Sequence, residues 1–396
     1  MAELLSLAEA RAAVLERVVP LPAEPVALGE AGGRVLAEDA VSTVDLPPFP
    51  SSAMDGFAVR AADSPGRLVV VGSVAAGAPA TAGLRAGEAM GIATGGAVPP
   101  GADAVVRIED VVLEGNTVEI PGVGEGKSIR PRGGDIREGE VVVEKGTRMG
   151  AAHVAALAAA GAAGVSVSRR PRVAVLATGS ELRPPGELLG PGQIFDANGV
   201  LLATALSAAG AEVEVLPAVE DDPDAHRDAL ERGLGADVLV TTGGVSVGPH
   251  DLVRSILRSL GVEEVFWGVA VKPGKPLAFG VLGTTLVFGL PGNPVSTLVG
   301  CELFVRPAVL ALQGAPEPGP VYRDARLAAA VKRNAGRDEL LRARTRFTDD
   351  GVVVEPVTGQ ESHMIVRAAG ADALVLSPRG NGELPEGSHV RYFPLA

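Results

Sequence analysis

The sequence predicts a multidomain α/β protein with a parallel-sheet α/β domain, an inserted β-rich domain, a small helical or mixed domain and a β-rich C-terminal domain. Residues 172–312 alternate apolar strands with helices, which is typical of a parallel sheet covered on both faces. Residues 47–140 carry short Val and Ile runs split by Gly, Pro and Asp, the pattern of a β module. The stretch GAPEPGP at 314–320 is a linker by composition, and the chain after it is β-like again.

The N-terminal part predicts two helical segments around the β module. Ser6 and Glu9 form a capping box, and apolar positions recur behind it to Val18. Helical texture returns at 146–160, so we predict a small α/β linker domain of residues 1–46 plus 141–170 and an inserted β-rich domain of residues 47–140. The uncharged segment 151–168 predicts a helix, a turn and a short strand rather than a membrane span. Strands inside the insert are expected at 68–71, 103–108 and 117–120.

The C-terminal half predicts two further domains, residues 171–314 and residues 315–396. The first holds the strand and helix alternation, and the second holds only short strands. Strands of the α/β domain are expected at 173–177, 212–216, 237–240 and 286–288, and its helices at 197–208, 224–233, 251–260 and 295–312. Strands of the last domain are expected at 351–357, 373–376 and 389–392.

Composition excludes several classes of protein. The chain of 396 residues has 35 basic and 48 acidic residues, a net charge of −13, which argues against nucleic-acid or anionic-membrane binding. A single cysteine, Cys301, allows neither an intrachain disulfide nor a cysteine-based zinc site. The N-terminus is acidic at Glu3 and Glu9 and lacks the basic region of a signal peptide, so we expect a cytoplasmic protein.

Three strand-end loops rich in Gly, Ser and Thr stand out in the α/β domain, at 177–181, 241–248 and 289–296. Ligands of parallel sheets bind at the carboxyl ends of the strands, where glycines let backbone N–H groups approach and a helix N-terminus attracts anions. None of the loops has a Walker A or dinucleotide-binding pattern. The sequence therefore predicts an anion site at this edge, with ordinary turns between strands and helices as the alternative.

Two of the few lysines of the chain lie close together in the sequence. The chain has five Lys and thirty Arg, yet Lys272 and Lys275 lie within four residues, flanked by prolines. This predicts a clamp for a tetrahedral or phosphate anion, the alternative being a solvated charge pair in a turn. Acidic residues follow the predicted strands at Glu181, at the pair 221–222 and at Asp251, and they are either Mg²⁺ ligands beside the anion or helix caps.

The inserted module has three unusual loops, at 47–59, 92–106 and 129–136. Their Pro and Gly content indicates rigid turns, and loops carried on a rigid scaffold often contact ligands. From the residues alone, ligand contact and a structural role remain equally open.

Seven strings resemble, in order, those of the molybdopterin molybdenumtransferase (MoeA) family: SAMDGFA, TGGAVPPGADAVV, IRPRGGDI, LATGSEL, TTGGVSVGPHD, KPGKPLAFG and GLPGNPVS. The resemblance covers essentially the whole chain. It implies an elongated homodimer of four-domain subunits, with a molybdopterin-binding α/β domain and a C-terminal β-barrel. The implied reaction inserts molybdenum from molybdate into adenylylated molybdopterin and releases AMP, with Mg²⁺ as the usual metal. It also implies a cleft shared between subunits and contact with the molybdopterin adenylyltransferase.

The resemblance implies roles for individual residues. Catalytic positions are Asp55, Thr94, Asp135, Glu181, Asp251, Lys272 and Lys275. Metal ligands are Glu181, Asp221 and Asp251. Substrate-binding positions are Ser180, Gly243, Gly244, Ser246, Pro276, Pro291, Gly292, Asn293, Pro294, Ser296, Arg342 and Ser362. Around the last two, the strings RDELLRAR and GQESHMI depart from the usual family pattern.

Three other functions remain open at this stage. A molybdopterin adenylyltransferase explains the α/β domain but neither the insert nor the barrel. A non-catalytic scaffold that binds molybdopterin is compatible with an intact cleft. A tungsten-specific enzyme is equally compatible, because tungstate and molybdate have nearly the same size and charge.

Overall fold

The computed structural model describes residues 4–219, 222–244 and 252–395. The chain forms two compact units. We call residues 25–32 and 38–167 the insert unit, and residues 1–24, 33–37 and 168–396 the main unit.

The insert unit is built on a six-stranded sheet, which confirms the predicted β-rich character. Its neighbouring strands are antiparallel except for one parallel pair, Gly66–Val74 with Glu88–Ile92. The strand order is Ala104–Arg107, Gly56–Val59, Glu88–Ile92, Gly66–Val74, Thr117–Ile120 and Val112–Glu114. The sheet buries small apolar clusters on both faces, which is why its strands read as short Val and Ile runs.

Smaller elements complete this part of the chain. The apolar segment 151–168 forms the helix Ala151–Ala159 and the strand Gly164–Ser168, as predicted. Three two-stranded pairs accompany the sheet: Ala23–Ala27 with Gly164–Ser168, Ala40–Val41 with Val141–Val143, and Ser51–Ser52 with Ile129–Arg130.

The main unit has a six-stranded sheet of mixed direction. The prediction of a parallel sheet is right for the first four strands and wrong for the last two pairings, which are antiparallel because Ala278–Leu282 runs opposite to all the other strands. The reversal occurs because Leu282 and Thr285 pair across a tight turn containing Gly283, whose φ of +58° suits a hairpin. The strand order is Glu212–Val219, Arg172–Thr178, Val238–Thr242, Thr285–Leu290, Ala278–Leu282 and Glu263–Trp267.

Helices cover both faces of this sheet, and three of them begin at side-chain caps. Ser6 and Glu9 form the predicted capping box, and Asp196 and Asp222 accept hydrogen bonds from Gly199 N (2.9 Å) and Ala225 N (2.8 Å). The first helix ends at Leu15, although the apolar pattern continues to Val18. The helices are Leu7–Leu15, Ala197–Ala208, Pro223–Gly233, Leu252–Ser259, Pro294–Gly300 and Arg306–Leu312.

The last two helices join through a π-helical turn, Cys301–Val305, into one continuous helix. Among the described residues this run, Pro294–Leu312, is the one helix long and apolar enough to cross a membrane, and 78% of its most apolar window is buried inside the protein. Its burial on all sides, including Glu302 in the π-helical turn, identifies it as the central helix of the core.

The C-terminal strands close into a five-stranded barrel, as expected. Going round the ring, its strands are Asp338–Thr348, Gly351–Pro356, Arg323–Leu327, His389–Pro394 and Ala373–Ser377. Leu340, Leu374 and Phe393 are on barrel strands, but their side chains pack in the apolar cluster of the α/β domain and not inside the barrel. The barrel and the α/β domain therefore share one apolar cluster. The short strand Val271–Lys272 pairs in parallel with the start of Asp338–Thr348.

Two further strand pairs and a one-turn helix are separate from these sheets. They are the pairs Leu182–Arg183 with Ile194–Phe195 and Val331–Lys332 with Glu383–Leu384, and the one-turn helix Ile365–Ala368.

Candidate functional site

The structure brings the ends of three neighbouring parallel strands together. These strands are Arg172–Thr178, Val238–Thr242 and Thr285–Leu290, and the predicted loops follow them directly. Gly243 N donates to Leu290 O at 3.2 Å, and Thr242 Oγ1 donates to Pro291 O at 3.3 Å. The second and third loops are therefore fixed to each other by hydrogen bonds at the carboxyl edge of the sheet.

Gly243 sits where a side chain does not fit, and Gly292 lies directly against it. Gly243 has a φ of +89°, and a Cβ placed there would lie 2.5 Å from Thr178 O. A Cβ on Gly292 would lie 3.6 Å from the Cα of Gly243, so the two loops touch backbone to backbone. Gly244 also has a positive φ, +62°. This close approach leaves exposed backbone that a ligand can reach.

Asn198 is a site residue that the sequence analysis missed. Its Nδ2 donates to Thr242 Oγ1 and to Gly292 O, both at 2.8 Å, and thereby joins the second and third loops. Its Oδ1 is buried and has no hydrogen-bond partner among the described residues. The only sequence signal was its place after the helix cap Asp196, which by itself indicates a helix start.

Ser180 and Glu181 lie exposed in the first loop. The Glu181 carboxylate folds over Gly179, because a Cβ on that glycine would lie 2.5 Å from Glu181 Oε2. Three other predicted site residues lie outside the described residues: the acidic residues Asp221 and Asp251, and Ser246. Within the described ranges, no group of three or more His, Cys, Asp or Glu side chains is arranged to hold a metal ion.

A cavity of about 370 Å³ lies between the third loop, the lysine turn and the barrel. Gly274, whose φ is +109°, lets this turn fold against the start of the central helix, and Ser296 is 4% exposed there. Pro294 occupies the first turn of that helix. The cavity is lined by Lys272, Pro273, Gly274, Lys275, Pro276, Pro291, Asn293, Ser296, Arg337, Gln360, Glu361 and Ser362.

Ser362 links the barrel to the third loop. Asn293 Nδ2 donates to Ser362 Oγ at 3.0 Å, and Val295 N donates to Ser362 O at 3.0 Å. The Ser362 hydroxyl therefore accepts one hydrogen bond from the protein and keeps its own proton for a ligand.

Arg342 lies beneath the cavity wall, and Arg337 lines the cavity. Arg342 is 1% exposed, and its guanidinium donates to Met364 O at 2.9 Å and to Gly359 O at 2.7 Å. Burial lowers the pKa of this guanidinium. The structure thus buries Arg342 against carbonyls of the loop that carries Ser362, so its guanidinium shapes that loop, and a contact of Arg342 with substrate stays a prediction.

We expect Arg342→Lys to cost about 1–3 kcal/mol of unfolding free energy, because one ammonium cannot satisfy the carbonyls that the guanidinium serves. Denaturant unfolding measures this cost. Arg344→Lys, on the exposed continuation of the same strand, is the matched control and should change stability by less than about 0.5 kcal/mol. Equal losses in both variants would contradict the positioning role of Arg342.

The predicted site residues of the insert unit lie at two separate positions, Asp55 with Thr94 and Asp135 apart from them. Asp55 Oδ1 accepts hydrogen bonds from Thr94 N at 2.7 Å and Thr94 Oγ1 at 3.0 Å. The backbone bond first, and then the hydroxyl bond, hold the pKa of Asp55 below its ordinary value. Asp135 instead lines a cavity of about 600 Å³ together with Leu46, Pro47, Ser51, Ile129, Arg130, Pro131 and Gly134.

We expect Thr94→Val to raise the pKa of Asp55 part of the way back to its ordinary value, because the hydroxyl bond is lost and the backbone bond remains. The folded pKa of Asp55 is depressed, so its stabilising contribution is present above the unfolded value of about 3.9 and is lost as the pH falls. A pH titration of the carboxyl carbons by NMR measures the change. Asp45, held by Glu138 N and Arg132, is the internal control and should not move.

Fold and cavity together define a multidomain α/β protein with a cavity, lined by two lysines and an arginine, between strand-end loops and a β-barrel. Three family models match consecutive parts of the chain: the MoeA N-terminal region (domain I and II) at 5–161, a probable molybdopterin binding domain at 174–311, and the MoeA C-terminal region (domain IV) at 324–395.

Whole-chain relatives agree with these matches. The chain is 35% identical to the molybdopterin molybdenumtransferase of Haemophilus influenzae, over 99% of both chains. It is 33% identical to the enzyme of that name from Staphylococcus epidermidis, over 98% of this chain and 94% of that one. A crystal structure of the molybdopterin biosynthesis moeA protein from Pyrococcus horikoshii OT3 superposes with a TM-score of 0.87 at 29% identity, covering 99% and 100% of the two chains. The chain belongs to the MoeA family.

Proposed function

We propose that this protein is a molybdopterin molybdenumtransferase, which inserts molybdenum from molybdate into adenylylated molybdopterin and releases AMP. Full-length relatives carry that enzyme's name. The observation on this chain that supports the proposal is the cavity where Lys272, Lys275, Arg337, Ser296 and Ser362 face one another. Several positively charged groups and hydroxyl donors around one cavity can neutralise and hydrogen-bond a tetrahedral oxyanion.

We assign oxyanion binding to the cavity, with Lys275 and Arg337 as the principal cations. Within the described residues, no carboxylate forms an ion pair with Lys275. Ser296 and Ser362 offer hydroxyl protons from the helix start and the barrel loop. These groups hold molybdate in place while the dithiolene sulfurs approach, so the protein acts mainly by positioning and neutralising charge.

We assign the molybdopterin side of the substrate to the strand-end loops. Backbone N–H groups near Gly243, Gly244 and Gly292 are suited to the pyrophosphate, since anions bind well to exposed amides at strand ends and helix starts. Asn198 keeps two of these loops in register, and it and Arg337 are the residues we add to the predicted set. Ser180, Ser246, Pro276, Pro291 and Pro294 remain predicted contacts.

Further features belong to the proposal as expectations. Asp55, Thr94 and Asp135 would complete the cleft of a partner subunit in a homodimer. Mg²⁺ would bind through Glu181, Asp221 and Asp251, and since only Glu181 is described we derive no step through the metal. The four domain boundaries, a cytoplasmic location and contact with the molybdopterin adenylyltransferase are likewise proposed.

The deciding experiment mixes the purified protein with adenylylated molybdopterin, Mg²⁺ and either molybdate or tungstate, and follows AMP release. We expect AMP only when an oxyanion is present, and loss of release in EDTA. No AMP under any condition would contradict the transferase.

Parallel arms of the same experiment distinguish the other functions. ATP-dependent adenylylation of molybdopterin would identify an adenylyltransferase. Molybdopterin binding without either reaction would identify a scaffold. Release with tungstate and none with molybdate would identify a tungsten enzyme.

A further inference from the structure

Lys272 forms an ion pair with the carboxylate of Glu339, which is not among the predicted site residues. Its Nζ lies 2.8 Å from Glu339 Oε1, and the side chains are 44% and 9% exposed, respectively. The lysine therefore faces the cavity from one side and a sheltered carboxylate from the other.

Backbone pairing holds the two residues in register. Lys272 pairs with Glu339, and Val271 with Asp338, in the short parallel pair that joins the lysine turn to the barrel. Asp338 N also donates to Ala270 O at 3.0 Å. Because two strands fix both Cα positions, the ion pair belongs to the fold and is not a chance surface contact.

The pair changes the charge of the cavity. Lys272, Lys275 and Arg337 are its cations, Glu361 lines it, and Glu339 lies beneath Lys272. The two carboxylates cancel all but one of the three positive charges. An oxyanion in this cavity thus experiences a much weaker field than the lysine motif alone suggests.

We propose that Glu339 is a charge-balancing and positioning residue, which makes Lys272 half of a neutral pair and leaves the oxyanion to Lys275 and Arg337. This inference rests on the proposed function. The balance keeps the oxyanion bound weakly enough to be transferred, and it reduces the retention of dianions, such as sulfate, that bind through charge alone.

Equilibrium binding of sodium molybdate and sodium sulfate, measured by calorimetry at constant ionic strength, tests the pair without requiring turnover. Glu339→Gln keeps an acceptor beside Lys272 and removes the charge. We expect it to tighten binding of both dianions about fivefold and to lower kcat for AMP release. Glu355→Gln removes a barrel carboxylate that is paired with Arg346 at 3.5 Å and is absent from the cavity lining, and it should leave both affinities unchanged.

A second pair of variants distinguishes charge balance from direct contact. Lys272→Met leaves the Glu339 charge unopposed and should weaken molybdate binding more than about tenfold. Adding Glu339→Met removes the pair as a neutral unit and should restore the affinity to within about threefold of the original protein.

A double variant that binds no better than Lys272→Met would overturn the proposal, as would unchanged or weaker binding in Glu339→Gln. If the unsubstituted protein binds molybdate but releases no AMP, the proposed function fails and the binding comparison still decides the role of Glu339.

Discussion

Replacing Lys275 with alanine is expected to lower molybdate-dependent AMP release at least about tenfold, which corresponds to about 1.4 kcal/mol in the barrier. The ammonium lines the oxyanion cavity and is exposed to it, while Lys272 is already paired with Glu339. The Lys275 carbonyl accepts hydrogen bonds from Val269 N and Leu277 N, both at 3.0 Å, and alanine preserves these contacts. The substitution therefore removes the positive charge and leaves the backbone hydrogen bonds of the turn in place.

Initial rates at several molybdate concentrations measure the effect. Lys332→Ala, at an exposed position on the short strand Val331–Lys332, is the matched control and should keep the original rate. Turnover near the original level in Lys275→Ala would rule out the cationic role that we assign to this residue.

The second large effect is expected at Gly243, where alanine should cost about 2–5 kcal/mol of unfolding free energy. About 1–2 kcal/mol arises because the φ of +89° is unfavourable for a residue with a side chain. The rest arises because the added Cβ would lie 2.5 Å from Thr178 O, a backbone atom of the central sheet that cannot move away freely.

Gly186→Ala separates these two contributions. Gly186 has a similar φ, +97°, and nothing lies within 4 Å of an added Cβ. Denaturant unfolding should therefore give a loss of about 1–2 kcal/mol for Gly186→Ala and a clearly larger one for Gly243→Ala. Equal losses would show that the close approach of the second loop to Thr178 is unimportant.

Local patterns predicted most of the main unit. The helix at Ala197–Ala208 was predicted to the residue, and three loops were correctly placed on one sheet edge, because strand and helix alternation leaves few topologies. The antiparallel strands at 263–267 and 278–282 were missed. The reversed direction of 278–282 depends on a turn at Gly283 that the pattern of apolar runs does not reveal.

The site was predicted less completely, for a different physical reason. Residues 339–343 are buried on both faces of their strand, so alternation could not tell which neighbouring arginine lines the cavity. The same burial concealed Glu339 as a partner for Lys272, 67 positions away in sequence and aligned with it only by strand pairing. Asn198 likewise acts across loops that are distant in sequence.

The contact of Ser362 with Asn293 and Val295 bears on how such proteins can be recombined. Four residues of the cavity wall, Arg337, Gln360, Glu361 and Ser362, come from the chain after the linker. A chimaera that exchanges the barrel alone between relatives would join half of one cavity wall to half of another. The α/β domain and the barrel therefore have to be exchanged together if the cavity between them is to stay intact.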